Sequence, residues 1–532
     1  MTAQTVDAVV VGSGPNGLVA ANVLVDAGWD VVLIEAAPEI GGAVRSGEVT
    51  APGFVTDLYS SFYPLSVVSP AIRDLDLGAH GLVWRRAPAV LGHAFDDGRA
   101  AVLHADPADT AASVDQFAPG DGEAWLAMFD AWLRIRDPFL DALLTTFPPV
   151  AGAARTLARL GTRGTLDFAR LALSPVRRFG QEQFGGQGAR ALLTGNALHG
   201  DVPPDSAGSA LFGWLLAMLG QDVGFPVPQG GAGMLARALH ARATAQGLQT
   251  QVGTPVTAVL VEGGRAAGVR LADGRTIRAR RGVLADVAAP HLYRDLVGPE
   301  HLPRRLLEDL ERFHWDSATV KVNWALSRPI PWRGAGLAGA GTVHLGVDDE
   351  GFVDYAADLS VGRVPHRPFL LLGQMSTADP TRSPAGTESV WAYTHVPHTI
   401  VDDEGAVAGH VERMEAAIEH VAPGFGGAAF ARSVQSPADL ESANANLLGG
   451  ATNAGTAGLH QQLVLRPTPG LGRPETPLPG LYLASASAHP GGGVHGACGW
   501  NAARVALRAS GRTGGLRSAL ARTAWARVLP DE

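Results

Sequence analysis

The feature that most constrains the fold is a glycine-rich turn close to the N-terminus. Residues 7–37 read DAVVVGSGPNGLVAANVLVDAGWDVVLIEAA, in which an apolar run, a G-x-G-x-x-G turn and an Ala/Leu/Val-rich segment precede a second apolar run. This order predicts a strand, a tight turn, a helix and a second strand. The N-terminus of such a helix offers free N–H groups and a positive dipole to a phosphate. The segment therefore predicts a dinucleotide-binding α/β unit.

Each position of the turn has a physical reason. Gly12 makes the tight turn, Gly14 lets the backbone approach a pyrophosphate, and Gly17 lets the helix pack closely on the strand. Pro15 and Asn16 complete the turn and are candidate cofactor contacts with the three glycines.

The second apolar run ends in Glu35, which is followed by Ala36. An acid at this distance from the turn is placed to accept hydrogen bonds from a ribose, and its charge would repel a 2′-phosphate, which disfavours NADP. A second G-x-G-x-x-G match, GAGLAG at 334–339, follows PIPWR without a preceding strand, so we expect a loop there.

Composition narrows the function classes. The chain has 532 residues, which suggests two to four structural units, and its net charge of −9 argues against a nucleic-acid partner. One cysteine, Cys498, excludes an internal disulfide and a thiolate metal cluster, and no closely spaced set of metal ligands is evident. The N-terminus lacks a basic leader, and the longest apolar run, 210–219, is too short for a bilayer span, so we expect a cytoplasmic protein.

A glycine pair at Gly41 and Gly42 follows the ribose acid within PEIGGAVRSGE. Here the chain resembles flavoproteins of the glutathione-reductase-like superfamily, in which such a pair lies along the FAD pyrophosphate. The resemblance implies cofactor contacts at Gly42 and Ala43. Arg45 is a candidate phosphate partner, with a surface arginine as the alternative.

The C-terminal segment 466–509 contains a strand, LYLAS, then the turn Gly491–Gly493 and an Ala-rich helix that we expect to begin near Val494. Three glycines let backbone lie flat against a planar ligand, and the helix N-terminus can stabilise the negative charge of a reduced flavin. Gly492, Gly493 and Val494 are therefore candidate flavin contacts.

Together these motifs, with PVPQGGAGML and TVKVN between them, resemble the phytoene-dehydrogenase-related group of the carotenoid desaturase, carotenoid isomerase and flavin amine oxidase superfamily. The resemblance implies FAD, a glutathione-reductase-like FAD-binding Rossmann domain, a sheet-based substrate domain and a helical lid insertion. It also implies hydride transfer to or from flavin N5. One departure is that Ala484 and Ser485 stand where many members carry Gly-Asp, so the Ser485 hydroxyl is the candidate replacement contact.

The pattern along the chain predicts a discontinuous arrangement. The expected parts are FAD-binding 1–75, 225–300 and 470–532; substrate domain 76–105 and 301–469; and helical lid 106–224. Residues 225–286 resemble the returning part of an FAD domain, with Val256 near the adenine. Without a second nucleotide fingerprint we expect no NAD(P)H domain, and the electron acceptor would be oxygen, a quinone or another protein.

Lys321 is the single lysine among 42 basic residues. Its stretch, SATVKVNWALSRPIPW, resembles the flavin amine oxidase strand whose lysine holds a water against flavin N5. A compact ammonium there can promote reoxidation. The alternative is a strand-end lysine paired with a carboxylate.

His489 and His495 bracket the glycine turn, so either is a candidate proton donor or acceptor at the flavin, with a packed histidine as the alternative. Cys498 is expected to be a small buried thiol rather than a flavin attachment point. His199 and His395 are pocket candidates without a motif.

The sequence is compatible with three functions. The leading hypothesis is an FAD-dependent desaturase, dehydrogenase or oxidase that takes a hydride from an apolar small molecule and gives a C=C or C=N bond. The second is a redox-neutral isomerase of a polyene that uses reduced FAD, and the third is a non-catalytic flavin-holding partner protein. The arginine-rich stretch 134–178 is either the solvated outer face of the lid, which we prefer, or a peripheral membrane contact.

Overall fold

The computed structural model describes residues 4–511, in which strands and helices alternate as an α/β protein. The strands are β1 Gln4–Val11, β2 Val31–Ile34, β3 Ser46–Gly47, β4 Thr56–Asp57, β5 Trp84–Arg85, β6 Ala89–Ala94, β7 Ala100–His104, β8 Val227–Pro228, β9 Gln249–Gln251, β10 Val256–Glu262, β11 Arg265–Leu271, β12 Thr276–Ala285, β13 Ala318–Leu326, β14 Ala340–Leu345, β15 Leu370–Gln374, β16 Glu388–Val396, β17 Ala429–Gln435 and β18 Leu481–Leu483. The α-helices are α1 Pro15–Asp26, α2 Pro64–Val68, α3 Pro70–Arg73, α4 Pro107–Asp115, α5 Asp121–Leu144, α6 Val150–Leu173, α7 Val176–Gln183, α8 Gln187–Ala197, α9 Ser209–Val223, α10 Gly233–Ala245, α11 Arg304–Glu311, α12 Asp349–Ser360, α13 Met375–Ala378, α14 Glu404–Val421, α15 Phe425–Ala428, α16 Pro437–Ala443 and α17 Ala497–Ala509.

The first sheet has seven strands in the order β10-β11-β12-β1-β2-β9, with β18 pairing with β12. β12, β1, β2, β9 and β18 run parallel, and every residue of β2 is buried. Such strands are nearly all apolar because both faces are covered. α1, α10 and α17 pack together on one face of this sheet. The N- and C-terminal glycine motifs precede α1 and α17, so both motifs lie beside the same sheet.

The second sheet also has seven strands, in the order β17-β13-β16-β15-β14-β6-β7. One register row crosses five of its strands and runs Lys321, Tyr393, Leu371, His344 and His93. Paired residues share a face, so this row defines a face that carries polar and aromatic side chains. The opposite face is apolar and packs on α14.

The helices α5 to α9 form a layer over the polar face of the second sheet. Trp125, Trp132 and Trp214 are buried in one cluster that also includes Leu371 and Trp391 of the sheet. α6 is broken at Gly161, whose φ of 64° and ψ of −174° are not helical. Among the described residues no helix is both long and apolar enough to cross a bilayer.

The GAGLAG segment, the helical layer and the second sheet each lie where the sequence pattern predicted them along the chain. The GAGLAG segment is a turn that enters β14 and has no strand directly before it. The helices α4 to α9 lie within 106–224, and the second sheet draws its strands from 76–105 and 301–469. The domain boundaries themselves remain predictions, and residues 512–532 of the last segment lie outside the described residues.

A buried ion pair joins β4 to the segment that leads into β16 of the second sheet. Arg382, which precedes β16, donates to both carboxylate oxygens of Asp57 at 3.0 Å and to Asp379 at 3.2 Å, and the side chains of all three residues are buried. The Asp57 carboxylate also accepts from the Ala232 N–H at 2.8 Å, next to the start of α10. Because every oxygen has a donor, the desolvation cost of the charges is offset by geometry.

We expect Arg382→Met to lower the free energy of unfolding by about 3–5 kcal/mol, because two buried carboxylates lose their cation. The measurement is denaturant unfolding. Arg367→Met is the matched control, since Arg367 pairs with Asp96 at the surface and such pairs contribute about 1 kcal/mol or less. Equal losses in the two variants would contradict the role of the buried pair.

Candidate active site

A cavity of about 760 Å³ lies at the ends of the parallel strands of the first sheet. Backbone and side chains from distant parts of the chain form its wall. They include the predicted contacts Gly12, Gly14, Pro15, Asn16, Glu35, Ala36, Gly42, Ala43, Arg45, Val256, Ser485, Gly492, Gly493 and Val494. The structure therefore brings together the sequence-predicted cofactor residues from both termini and from the middle of the chain.

The N-terminal turn forms a cradle without room for side chains. A Cβ on Gly14 would lie 2.4 Å from Oδ2 of Asp286, and a Cβ on Gly42 would lie 2.9 Å from the Gly14 backbone. Gly17 is not part of the cavity wall: its N–H donates to Asp286 Oδ2 at 2.9 Å, and a Cβ there would meet the Gly12 carbonyl. The turn thus presents backbone without side chains to the cavity, which fits the close approach of a pyrophosphate.

Asp286, which directly follows β12, is a wall residue that sequence reasoning missed. Burial raises its pKa to about 7, although the Gly17 N–H opposes this shift. The signal in the sequence is the acid that ends the apolar run GVLAD, the same signal that identified Glu35. A carboxyl at the base of the cradle holds the turn in place.

Glu35 lies one residue after β2 and lines the cavity. Its Oε2 accepts from the Ser13 N–H at 2.7 Å and the Ser13 hydroxyl at 2.6 Å, and its Oε1 accepts from the Ala37 N–H at 2.8 Å. These bonds hold the carboxylate at the strand end, where a ribose is expected. The ribose contact itself remains a prediction.

Arg45 lies on the cavity wall and is only partly exposed. It donates to the Tyr59 hydroxyl at 2.7 Å, to the Gly42 carbonyl at 3.1 Å and to the Ala443 carbonyl at 3.2 Å. The Arg45 side chain is therefore held beside the glycine pair Gly41 and Gly42 rather than free on the surface. Its contact with a phosphate stays a prediction.

The C-terminal turn closes the opposite end of the cavity. The helix α17 begins at Ala497, so the expectation of a start near Val494 was wrong by three residues. The reason is backbone conformation: Val494 has φ of 52° and Gly496 of 68°, and neither is compatible with a right-handed helix. Val494 itself still lines the cavity.

His489 and His495 do not belong to the wall of this cavity. Burial lowers the pKa of each to about 4, and His495 Nδ1 accepts from the Ala497 N–H at 3.0 Å. Cys498 is buried, and burial raises the pKa of its thiol to about 12. The geometry thus fits the alternative of packed histidines behind the turn. Neither ring lines the cavity, so the proton-transfer role of the two histidines stays a prediction.

Lys321 is buried in the middle of β13, not at a strand end, and it does not line the cofactor cavity. Its ammonium donates to the Asp57 backbone carbonyl at 2.7 Å and to Asn323 Oδ1, and it lies 5.7 Å from the Trp391 ring centroid. Burial lowers the pKa of Lys321 to about 7, while the Asp57 carboxylate partly counteracts this shift. No carboxylate is directly bonded to the ammonium within the described residues, so the strand-end alternative was wrong.

Aromatic and histidine side chains lie along the polar face that Lys321 shares. Trp391 and Tyr393 stack with centroids 5.9 Å apart, and Tyr393 contacts the ring of His395. His199, at the end of α8, reaches down from the helical layer so that its Nε2 lies 2.8 Å from His344 Nε2. The two motif-free histidine candidates are therefore both at the polar face, and His93 and His344, which the sequence reasoning missed, share it.

The cofactor cavity and the polar face are connected through one short segment. The Ser60 hydroxyl donates to the carbonyl of Ala43, which lines the cavity, and three residues earlier the Asp57 carbonyl accepts from Lys321. This arrangement of a nucleotide cradle, a glycine turn and a sheet under a helical layer defines an FAD-dependent oxidoreductase fold.

Comparison with known proteins supports this class. Residues 16–507 match the family model described as flavin containing amine oxidoreductase, and the chain belongs to this family. It is 30% identical to mouse pyridine nucleotide-disulfide oxidoreductase domain-containing protein 2, covering 94% of this chain and 93% of that protein. It is 28% identical to the zeta-carotene-forming phytoene desaturase of Myxococcus xanthus, covering 75% and 74%. Wild-type putrescine oxidase bound to putrescine has the same fold, with a TM-score of 0.60, 19% identity and coverage of 95% and 98%.

These findings confirm the predicted family, fold class and cofactor, which is FAD. The protein is a flavin oxidoreductase. When bound, FAD supplies the hydride acceptor, and this chain supplies the cradle, the anchored acids and the glycine turn.

We expect Gly14→Ala to lose most of its bound FAD, because the new methyl group would collide with Asp286 and fill the cradle. The measurement is the ratio of flavin to protein absorbance after purification. Gly427→Ala is the control, since a Cβ there meets no heavy atom within 4 Å. A Gly14→Ala protein with a full complement of FAD would contradict the assignment of the cradle.

Proposed function

We propose that the protein is a desaturase-like enzyme that removes a hydride from a C–H bond of a largely apolar small molecule and delivers it to flavin N5, giving a C=C or C=N bond. The observation that carries the proposal is the polar and aromatic sheet face at Lys321, which one short segment links to the cofactor cavity. The relative named as a phytoene desaturase supports a C=C product.

The charges near Lys321 favour a neutral substrate over a cationic amine. The carboxylate of Asp57 is already bonded to Arg382, Ser46 and the Ala232 N–H, so it offers no free counter-ion to an ammonium. The stacked rings of Trp391 and Tyr393 provide apolar surface. Both features point toward C=C rather than C=N formation.

The experiment is to mix the purified holoprotein with candidate isoprenoid hydrocarbons and with amines under anaerobic conditions. The proposal expects flavin bleaching by the apolar class and one unsaturated product per flavin reduced. Bleaching by amines alone would overturn the substrate class. With the flavin first reduced by dithionite, many product molecules per flavin without consumption of an acceptor would indicate the redox-neutral isomerase. A filled cavity with neither bleaching of the oxidised flavin nor turnover by the reduced flavin would indicate the flavin-holding partner.

Lys321 is proposed to promote reoxidation as an ammonium, whether the acceptor is oxygen, a quinone or another protein. Since its pKa lies at about 7, the charged form predominates below that pH and is lost above it. We therefore expect reoxidation of the parent to slow as the pH rises through about 7. Lys321→Met should be at least tenfold slower at pH 6 and independent of pH.

The control for this variant is Arg432→Met, which removes a charge from the opposite face of the neighbouring strand β17. Stopped-flow absorbance of the substrate-reduced enzyme measures both rates. A Lys321→Met enzyme that reoxidises as fast as the parent would remove the role proposed for Lys321.

Contact with a membrane surface through 134–178 is proposed as the route by which an apolar substrate reaches the helical layer. α6 exposes Val150, Leu157, Leu166 and Leu173, with Leu166 and Leu173 both 64% exposed. Arginines are interleaved with them, although Arg155, Arg163 and Arg170 each have an acidic partner. Apolar side chains beside basic ones favour an anionic bilayer surface.

We expect the double variant Leu166→Ser and Leu173→Ser to bind anionic phospholipid vesicles at least fivefold more weakly than the parent in a sedimentation assay. Val361→Ser is the control, because Val361 is also 64% exposed but lies after α12. Equal binding by the parent and the double variant would support the solvated outer face that the sequence favoured.

A further inference from the structure

Arg466 is a buried cation that the proposed function does not use. It is 1% exposed, and its guanidinium donates to the carbonyl of Ala486 at 2.7 and 3.0 Å and to that of Thr456 at 2.8 Å. It also donates to the carbonyls of Asn453 at 3.1 Å and Gly455 at 3.3 Å. Among the described residues, no carboxylate forms an ion pair with it. A buried charge satisfied only by carbonyls is costly and suggests a specific use.

The opposite charge lies on the other side of the same loop. Asp316 accepts the N–H groups of Thr452 at 2.7 Å, Asn453 at 2.9 Å and Gly455 at 3.2 Å. The loop 452–456 thus directs N–H groups to a carboxylate and carbonyls to a guanidinium. Both bonding sets hold Ala454 at φ of 54°, a conformation that a residue with a side chain seldom adopts.

This loop and the glycine turn both belong to the cofactor cavity. Thr452, Ala454 and Gly491 line it, and the guanidinium carbon of Arg466 lies 3.4 Å from where a Cβ on Gly491 would be. The cation is therefore directly behind the wall at the end of the cavity where the flavin ring is expected. No side chain intervenes, because position 491 is glycine.

We propose that Arg466 is a positioning residue that places a fixed positive charge behind Gly491 and, with Asp316 as its opposing charge, sets the reduction potential of the bound FAD. The inference rests on FAD binding and not on the identity of the substrate. It differs from the role proposed for Lys321, which lies on the second sheet outside this cavity.

The charge that FAD gains on reduction fixes the direction in which Arg466 shifts the reduction potential. Near neutral pH, FAD takes up two electrons and one proton on reduction, so the bound cofactor gains one negative charge. A positive charge in a low-dielectric interior stabilises that added charge and raises the potential, whereas a nearby negative charge lowers it. Removing the charge of Arg466 and removing that of Asp316 should therefore have opposite effects.

The experiment is a reductive titration of the holoprotein with an electron donor and an indicator dye, which needs no substrate. We expect Arg466→Gln to disfavour the reduced cofactor at least tenfold, a fall of about 30 mV for a two-electron couple. Asp316→Asn should shift the potential upward. Arg466→Lys, which keeps the charge, should stay within a threefold change, as should the control Arg473→Gln, whose arginine is half exposed and paired with Glu475.

The opposite signs separate charge from structure. A loop that is merely disordered by mutation would shift Arg466→Gln and Asp316→Asn in the same direction, and that result overturns the proposal, as does an unchanged potential in either variant. If Arg466→Gln does not retain FAD, the other two variants decide: a tenfold fall in Arg466→Lys or the lack of a rise in Asp316→Asn overturns it. Because the electron donor is artificial, a wrong substrate class leaves this test unaffected.

Discussion

The buried carboxylate of Asp57 is the contact on which the relation between the two sheets depends. Its two oxygens receive the guanidinium of Arg382, the Ser46 hydroxyl and the Ala232 N–H, and its backbone carbonyl receives Lys321. Asp57 thus connects the segment that follows Gly41 and Gly42 to the second sheet and to the start of α10. Since a buried charge tolerates few geometries, this contact fixes where the polar face lies relative to the cofactor cavity.

Among the described residues, three buried cations are satisfied by three different sets of partners. Arg382 is neutralised by two carboxylates, Arg466 is satisfied by backbone carbonyls, and Lys321 has a carbonyl and an amide. Arginine stays charged under each of these conditions, whereas the ammonium of Lys321 has a pKa near 7. The one lysine in a chain that otherwise uses arginine is therefore the buried cation whose charge can change near neutral pH.

Local patterns predicted the cofactor cradle well because its chemistry depends on backbone within a few residues of the motif. The N-terminal G-x-G-x-x-G and GAGLAG differ only in context, and the strand before the first made the correct distinction. The helix start near Val494 was predicted wrongly because left-handed backbone at a valine leaves no mark in a sequence. His489 and His495 lie outside the cavity wall, which fits the alternative of packed histidines, since proximity to a turn along the chain does not say which side of it a ring occupies.

By itself, the sequence determined the α/β class and, through its resemblance to a known family, the cofactor FAD. It also identified cofactor residues that, apart from Gly17, all line the cavity, because glycine positions and strand-end acids are local requirements of nucleotide binding. Only the tertiary structure decided that Asp286 closes the cradle, that Lys321 bonds to the Asp57 carbonyl, and that His199 meets His344. It alone also placed Asp316 and Arg466 on the two sides of one loop. These contacts join residues more than a hundred positions apart or set the depth of a side chain, and both depend on how the sheets and helices pack rather than on any local pattern.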